Sequence, residues 1–363
     1  MKILILGVTG FIGGTVLAEV MDSTEPELSG AAVTVLLRRQ SPESDTARET
    51  ILRNHYTTNS GSIASFDVAF FSGLEATDEL EIIARGFDII INTAEACDNL
   101  PAAEAIIRGL EARSAASTET TSPAVPVLIH CSGTGVIMDT ALGEPDAHDT
   151  EIYSDADSLK IAALPPTNVH RDVDLCVAAA NNKNIKTVTV VPPLVYGLGR
   201  GLFKRHSVQI PGFVTRCLAL TPHRVEYIGR GLSKWSNVHV RDIAHAFVVV
   251  LCRVVRELTA LDGGYYFAEA GENTWKDVAE GVARAVGKVV GQEVGCVSLT
   301  DEEVRERFPG VLRRHYDSSN SRSRAVKIRE LGWKPVFSWK TPLLDDLERE
   351  VLYQIDLAKS LAA

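Results

Sequence analysis

An α/β fold, built as a doubly wound parallel sheet with a smaller, mostly helical C-terminal lobe, is predicted by three observations. The first is residues 3–14, Ile-Leu-Ile-Leu-Gly-Val-Thr-Gly-Phe-Ile-Gly-Gly, which read as a buried strand, a glycine turn and the start of a helix. The second is the recurrence of strand-like apolar runs at 3–6, 33–37, 67–71, 88–92, 126–130 and 187–192, separated by helical or polar stretches. Such alternation implies parallel strands joined by crossover helices. The third is a change after about residue 195 to helices with intervening short strands, the helices at roughly 241–258, 274–289, 300–308, 322–331 and 341–359. The expected division is therefore a first domain over 1–195, completed by returns from the C-terminal half, and a smaller lobe over 196–363.

Taken in chain order, the glycine turn comes first. Gly7, Gly10 and Gly13 have the spacing that holds a pyrophosphate at a helix N-terminus: a tight turn, a close backbone approach to phosphate, and room for helix to pack on strand. Thr9, Phe11 and Ile12 lie within the same turn and are expected beside a bound dinucleotide. The second strand, Val33 to Leu37, ends in Arg38-Arg39, with no carboxylate before Glu43. An Asp or Glu there selects a free ribose 2′-hydroxyl and an Arg selects a 2′-phosphate, so NADP(H) is favoured over NAD(H).

The run Asp88-Ile-Ile-Ile-Asn-Thr-Ala is apolar without alternation, as a central strand covered on both faces should be. Its end places Thr93, Ala94 and Glu95 by the cofactor, and Leu74 is expected on the same side. Segments 41–65 and 113–125 are rich in Ser, Thr, Glu and Asn and read as surface excursions unsuited to chemistry. Thr274 with Asp277, and Thr300 with Glu303, have the spacing of helix N-caps.

Composition narrows the function classes. The chain of 363 residues is 45% hydrophobic, enough for a large core, and its net charge of −10 argues against a nucleic-acid partner. A basic cluster, Lys204-Arg205-His206 with Arg200, reads equally as a solvated loop or a phosphate contact. The apolar stretch Ile243 to Val255 is interrupted by His245 and Arg253 and is too short to cross a bilayer. Lys2 opens the first strand with no secretory or transit pattern before it, so a cytoplasmic protein is expected. Cys97, Cys131, Cys176, Cys217, Cys252 and Cys296 lack paired spacing, which points to reduced, mostly buried thiols and to no metal site.

The glycine turn, Asn92-Thr93-Ala94, the strand Val127 to Cys131 followed by Ser132-Gly133-Thr134, Pro192-Pro193-Leu194-Val195-Tyr196-Gly197, Asn237 to Asp242, and Leu331-Gly332-Trp333-Lys334-Pro335 together span nearly the whole chain. They resemble an extended short-chain dehydrogenase/reductase of the NAD-dependent epimerase/dehydratase type, a family with a Rossmann-type fold. The resemblance implies that Pro193 and Val195 wrap the nicotinamide. It also implies a Tyr and a Lys four residues apart on one helix, the Lys lowering the Tyr pKa, with a Ser or Thr from the fifth strand beside them.

Here the sequence departs from the family. The helix should lie at roughly 167–181, which puts Pro166 or His170 where the Tyr belongs and His170 or Asp174 where the Lys belongs. Tyr153 has Asp157 four positions on, and Tyr196 has Arg200, so neither restores the pair. The chain in this respect resembles an atypical branch, found largely in fungi, in which that pair is replaced.

His170 is the first candidate acid/base, with Asp174 one turn along the helix to orient it; the same residues could serve simply as the polar start of a helix. Ser132 or Thr134 would polarise a substrate carbonyl, or satisfy turn backbone groups instead. His130 reads as a core histidine and Glu95 as a pocket or surface carboxylate, while Trp235 and His206 are weaker substrate-side candidates. The Asn237 to Asp242 element is expected to fasten the second lobe to the first.

The leading function is an NADP(H)-dependent oxidoreductase or epimerase-like enzyme acting on a small organic carbonyl, imine or enone. Alternatives are a cofactor-binding but non-redox isomerase, cyclase or lyase of secondary metabolism, and a non-catalytic dinucleotide-sensing regulator like those of nitrogen metabolite repression. A sugar nucleotide is the less favoured substrate, since the second lobe shows no clear diphosphate-binding arginine pattern, although Arg200 and Arg205 keep it open. The apolar residues Leu175, Val177 and Ala178 would permit a homodimer, and ordinary core packing accounts for them equally.

Overall fold

The computed structural model describes residues 1–56, 62–116, 125–144, 151–257, 261–307 and 316–362. Its main sheet has seven strands: β1 (Lys2–Leu6), β2 (Ala32–Arg38), β3 (Ser65–Phe71), β4 (Ile89–Asn92), β5 (Val127–Cys131), β7 (Lys186–Val191) and β11 (Tyr265–Phe267). They lie side by side in the order β11-β7-β5-β4-β1-β2-β3, and every pairing is parallel. The six apolar runs read from the sequence are the first six of these strands.

Leu4 and Leu6 pack on one face of the sheet and Ile3 and Ile5 on the other, all fully buried. Two-sided burial is why these strands lack polar alternation. One face is covered by α1 (Phe11–Met21) and α8 (Val240–Arg256). The other is covered by α3 (Thr77–Ala84), α4 (Leu100–Ala116) and α6 (Arg171–Ala179). The chain winds outward from β1 to β3, then reverses and winds from β4 to β11, so the switch point lies between β1 and β4. Ligand clefts of open α/β sheets form outside the C-terminal strand ends at that place.

Strand β11 joins the main sheet and α8 packs on α1, although both follow residue 195 in the chain. The short strands expected between the helices of the smaller lobe form two small sheets. β8 (Leu194–Tyr196), β10 (Lys234–His239) and β12 (Gly271–Thr274) form a three-stranded sheet, and β9 (Arg224–Ile228) pairs with β13 (Gly295–Leu299). Around them α7 (Gln209–Leu218), α9 (Trp275–Val290) and the helix Leu343–Ala362 enclose a second core containing Phe213, Trp235 and Trp275.

Three sequence expectations need correction. Residues 42–56 are helix α2 (Pro42–Tyr56) rather than an excursion, because Leu52 and Tyr56 supply an apolar anchor that its polar composition conceals. Residues 57–61 and 117–124 lie outside the described residues. The helix expected at 322–331 is a strand, β14 (Arg322–Arg324), paired with β6 (Ile152–Ser154) and followed by the short helix Lys327–Glu330. The cysteines are all free, but Cys217 and Cys252 are buried while the other four are only partly so. Among the described residues no helix is long and apolar enough to cross a membrane.

Thr274 caps α9 through a reciprocal box with Asp277, as its spacing indicated. Thr300 makes the matching contacts with Glu303 at α10 (Asp301–Arg307). The fastening element is equally concrete. Buried Asp242, in the first turn of α8, accepts hydrogen bonds from Phe337 N at 3.0 Å, Ser338 N at 2.6 Å and Ser338 Oγ at 2.7 Å, and its carbonyl accepts from the Trp333 indole. Asp242→Ala strands three donors. It should cost about 2–4 kcal/mol, read as a lower urea midpoint at unchanged m-value; a loss under 0.5 kcal/mol would show that water replaces the carboxylate.

Candidate active site

The turn between β1 and α1 sets the first half of the site. Gly7 has φ +85°, and a Cβ there would lie 2.6 Å from both Ala94 N and Thr93 C, so only glycine lets β1 approach the end of β4 so closely. Thr93 Oγ1 donates to Leu6 O at 2.6 Å and locks the two strand ends together. A Cβ on Gly13 would come within 2.3 Å of Gly7 O, which fixes how far α1 can settle. Gly10 caps α1 without any side-chain hydrogen bond, and no acidic residue stands in the first turn. The first backbone N–H groups of the helix, with its positive dipole end, are thus available to an anion.

A cleft of about 260 Å³ opens at this point, lined by Gly7, Thr9, Gly10, Arg38, Leu74, Thr93, Ala94 and Glu95 among others. Seven of the residues proposed from sequence to hold a cofactor are therefore brought together. Gly13 braces the floor, while Phe11 is buried against the Gly199 loop and Ile12 packs on the main core. Pro193 is buried and Val195 pairs with Val238, so these two sit behind the cleft rather than on its wall.

The paired arginines separate. Arg38 lines the cleft and, among the described residues, has no carboxylate within ion-pair distance, whereas Arg39 turns over the Phe70 ring. Arg48 also lines the cleft, donating to Arg38 O and pairing with Asp45. The sequence had set this segment aside as unsuited to chemistry; its contribution follows from α2 folding back over β2.

An adjoining hollow, lined by Arg38, Leu74, Glu95, Asp98 and Asn99, leads to the second half of the site. There His170 caps α6 with φ +68°, a conformation uncommon for a residue with a side chain. Its Nδ1 stands 2.6 Å from Asp98 Oδ1, and its Nε2 is 3.4 Å from the Tyr316 hydroxyl. Asp98 is held below the usual carboxylate range, chiefly by its hydrogen bond to His170. A carboxylate on Nδ1 keeps a proton there, so Nε2 is the ring nitrogen left to exchange one. Gly133 and Gly135 give the ring its room, since a Cβ at either would lie 3.3 or 3.2 Å from Nε2.

The orienting role expected of Asp174 thus falls to Asp98. Asp174 faces inward, 1% exposed, where it accepts from Tyr265 OH at 2.5 Å and Ser132 Oγ at 2.9 Å. Ser132 is consequently engaged beneath the turn rather than offered to a ligand, and Thr134 is buried with its hydroxyl unpartnered. The reason is geometric: the left-handed residue at 170 breaks the helical stacking of 170 over 174, so the two side chains diverge. His130 is the core histidine expected, fully buried, its Nε2 4.0 Å from Asp174 Oδ1.

The remaining candidates fall away from the site. His206 contacts Ser207 O and the Tyr353 ring, Trp235 is buried in the second core, and Tyr153 bonds Glu151. Arg200 pairs with Glu19 and Asp22, and Arg205 bonds Gly199 O. On α6, Val177 is core, while Leu175 and Ala178 are exposed. Two residues that meet His170 were missed, Asp98 and Tyr316. Asp98 sits in a short turn after β4 with no motif, and Tyr316 arrives from 146 positions down the chain.

Burial raises Asp174 from its ordinary 3.8 to about 6 and lowers His130 to about 4. For a carboxylate raised in the folded state, the contribution to stability is complete below about pH 4 and is lost as pH rises through about 6. His130 acts oppositely, its contribution being lost as pH falls below about 6.5. Asp174→Asn removes only the first effect. The stability of the native protein relative to this variant should therefore fall by roughly 2 kcal/mol between pH 4 and 7, and urea midpoints that track together would exclude a raised carboxylate.

Residues 172–259 match the NAD dependent epimerase/dehydratase family. The chain is 28% identical to the oxidase ucsJ of an Acremonium species, over 96% of this chain and 95% of that one. It is 29% identical to an uncharacterised protein of Schizosaccharomyces pombe, over 45% and 48% of the two. Among solved structures it resembles a dTDP-glucose 4,6-dehydratase from Streptomyces venezuelae with NAD bound, at 17% identity, TM-score 0.66 and 98% and 97% coverage. It also resembles a UDP-glucose 4-epimerase from Thermus thermophilus in complex with NAD, at 16% identity, TM-score 0.60 and 98% and 99% coverage. Its seven-stranded parallel sheet is thus the fold of these dehydratase and epimerase structures, and residues 172–259 match the epimerase/dehydratase family, while α6 holds neither Tyr nor Lys.

Proposed function

We propose that this chain is a cytoplasmic, NADP(H)-dependent oxidoreductase or epimerase-like enzyme acting on a small, uncharged organic metabolite with a carbonyl, imine or enone group. The observation that carries the reading is the Asp98–His170 pair at the end of the hollow that continues the glycine-turn cleft. The uncapped start of α1 suits the pyrophosphate, and the unpaired Arg38 suits a ribose 2′-phosphate. When bound, the nicotinamide would exchange a hydride with the substrate carbon. His170, held by Asp98, would move the accompanying proton through Nε2.

Two further facts favour this reading. The relative from Acremonium, which matches nearly the full length, bears the name oxidase, and that supports redox chemistry over a cyclase or a regulator. Three arginines of the smaller lobe are neutralised by carboxylates: Arg216 pairs with Asp317, Arg322 with Glu272, and Arg307 with Glu226. That pattern supports an uncharged substrate over a nucleoside diphosphate sugar.

Titration with NADPH and NADH, followed by nicotinamide fluorescence, tests the cofactor half. Arg38→Ala should weaken NADPH binding about 10- to 100-fold and leave NADH binding unchanged. Equal weakening of both, or of neither, would remove Arg38 as the 2′-phosphate partner. His170→Ala should keep full NADPH affinity, since its ring lies beyond the glycine-turn cleft; lost affinity would make it a binding residue instead.

A further inference from the structure

The α6 helix lacks a phenol, yet a phenol stands at His170. Tyr316 reaches the site from the smaller lobe, its hydroxyl 3.4 Å from His170 Nε2. Both groups converge on Gly135, where a Cβ would lie 3.0 Å from the Tyr316 oxygen and 3.2 Å from Nε2. The position of Tyr316 is not incidental. Its ring rests on Trp235, with centroids 6.0 Å apart, and its carbonyl accepts from Gln209 Nε2 at 3.3 Å. Asp98, His170 and Tyr316 therefore form one line of carboxylate, imidazole and phenol, drawn from three separate parts of the chain.

We propose that Tyr316 is the catalytic hydroxyl of this enzyme, delivering a proton to the substrate oxygen and being reloaded by His170. The inference rests on the dinucleotide reading above. In the reducing direction the substrate carbonyl carbon gains a hydride from a reduced nicotinamide dinucleotide, and the C=O π pair moves to oxygen. That oxygen takes the Tyr316 proton. The phenolate then takes the proton of His170 Nε2, leaving a neutral imidazole with Nδ1–H on Asp98; solvent at the exposed carboxylate side restores the second proton. Oxidation of the alcohol runs the same transfers backward.

Burial and the nearby Asp98 and Cys97 push the Tyr316 phenol up to about 12, so it is a proton donor at rest. The 3.4 Å separation is long for a hydrogen bond, as such contacts often are before substrate arrives.

The test uses the full chain with NADPH present, labelled with 15N in its histidine rings. Tyr316→Phe should move the His170 Nε2 resonance while leaving Nδ1 and NADPH affinity as they were. An unmoved Nε2 would overturn the proposal without any need for turnover. With the diketone 9,10-phenanthrenequinone as probe, NADPH oxidation by Tyr316→Phe should fall about 100-fold in kcat at unchanged KM. Turnover at the native rate would overturn it too. If the native protein binds no NADPH, the cofactor reading fails and the ring resonances still decide whether the two side chains meet.

Discussion

The contact between the β1–α1 turn and the end of β4 is the constraint on which the remaining architecture depends. Two backbones approach there until no Cβ fits at Gly7, and a second glycine, Gly13, lets α1 close on the same point. Were either residue larger, α1 would have to move outward and its N-terminus would no longer face the switch point between β1 and β4. The approach also aligns Thr93, Ala94 and Glu95 with the turn, and so fixes the starting direction of the segment that carries Asp98. One tight contact thereby sets both the uncapped start of α1 and the carboxylate beside His170.

From that contact the position of α6 follows differently from the family pattern. Where the resemblance implies two residues on one helical face, here His170 occupies a left-handed cap and Asp174 continues the helix inward. The buried carboxylate then needs donors, and Tyr265 and Ser132 supply them. Ser132 becomes part of the floor. A strand-end hydroxyl that could serve a substrate is thereby consumed in stabilising a charge-bearing core group.

Much of the fold was legible because it rests on periodicity. Strands buried on both faces leave unbroken apolar runs, and the glycine spacing has one geometric meaning when it follows such a run. The reciprocal cap at Thr274 and Asp277 was readable for the same reason, since both partners lie within one turn. What escaped was non-local. Asp98 and Tyr316 meet His170 from 72 and 146 residues away, and nothing in their neighbours marks them. Helix α2 escaped for a different reason: only Leu52 and Tyr56 are buried, and its polar surface imitates a loop. The choice of Asp174 as orienting partner assumed that residue 170 was helical, and a single positive φ reversed it.

The separation of the two carboxylates explains how one site can hold both without conflict. Asp98 lies where solvent reaches it and stays ionised beside His170, while Asp174 lies where desolvation favours its protonated form. Had Asp174 pointed at the imidazole from inside, its burial would have made the pair's charge depend on a group that titrates near pH 6. Placing the orienting charge at the exposed end instead engages Nδ1 with Asp98 and leaves Nε2 facing the Tyr316 hydroxyl. The same division explains why glycines, rather than hydroxyl-bearing residues, stand at 133 and 135: with the imidazole lifted out of the helix, the space above the β5 turn belongs to its ring.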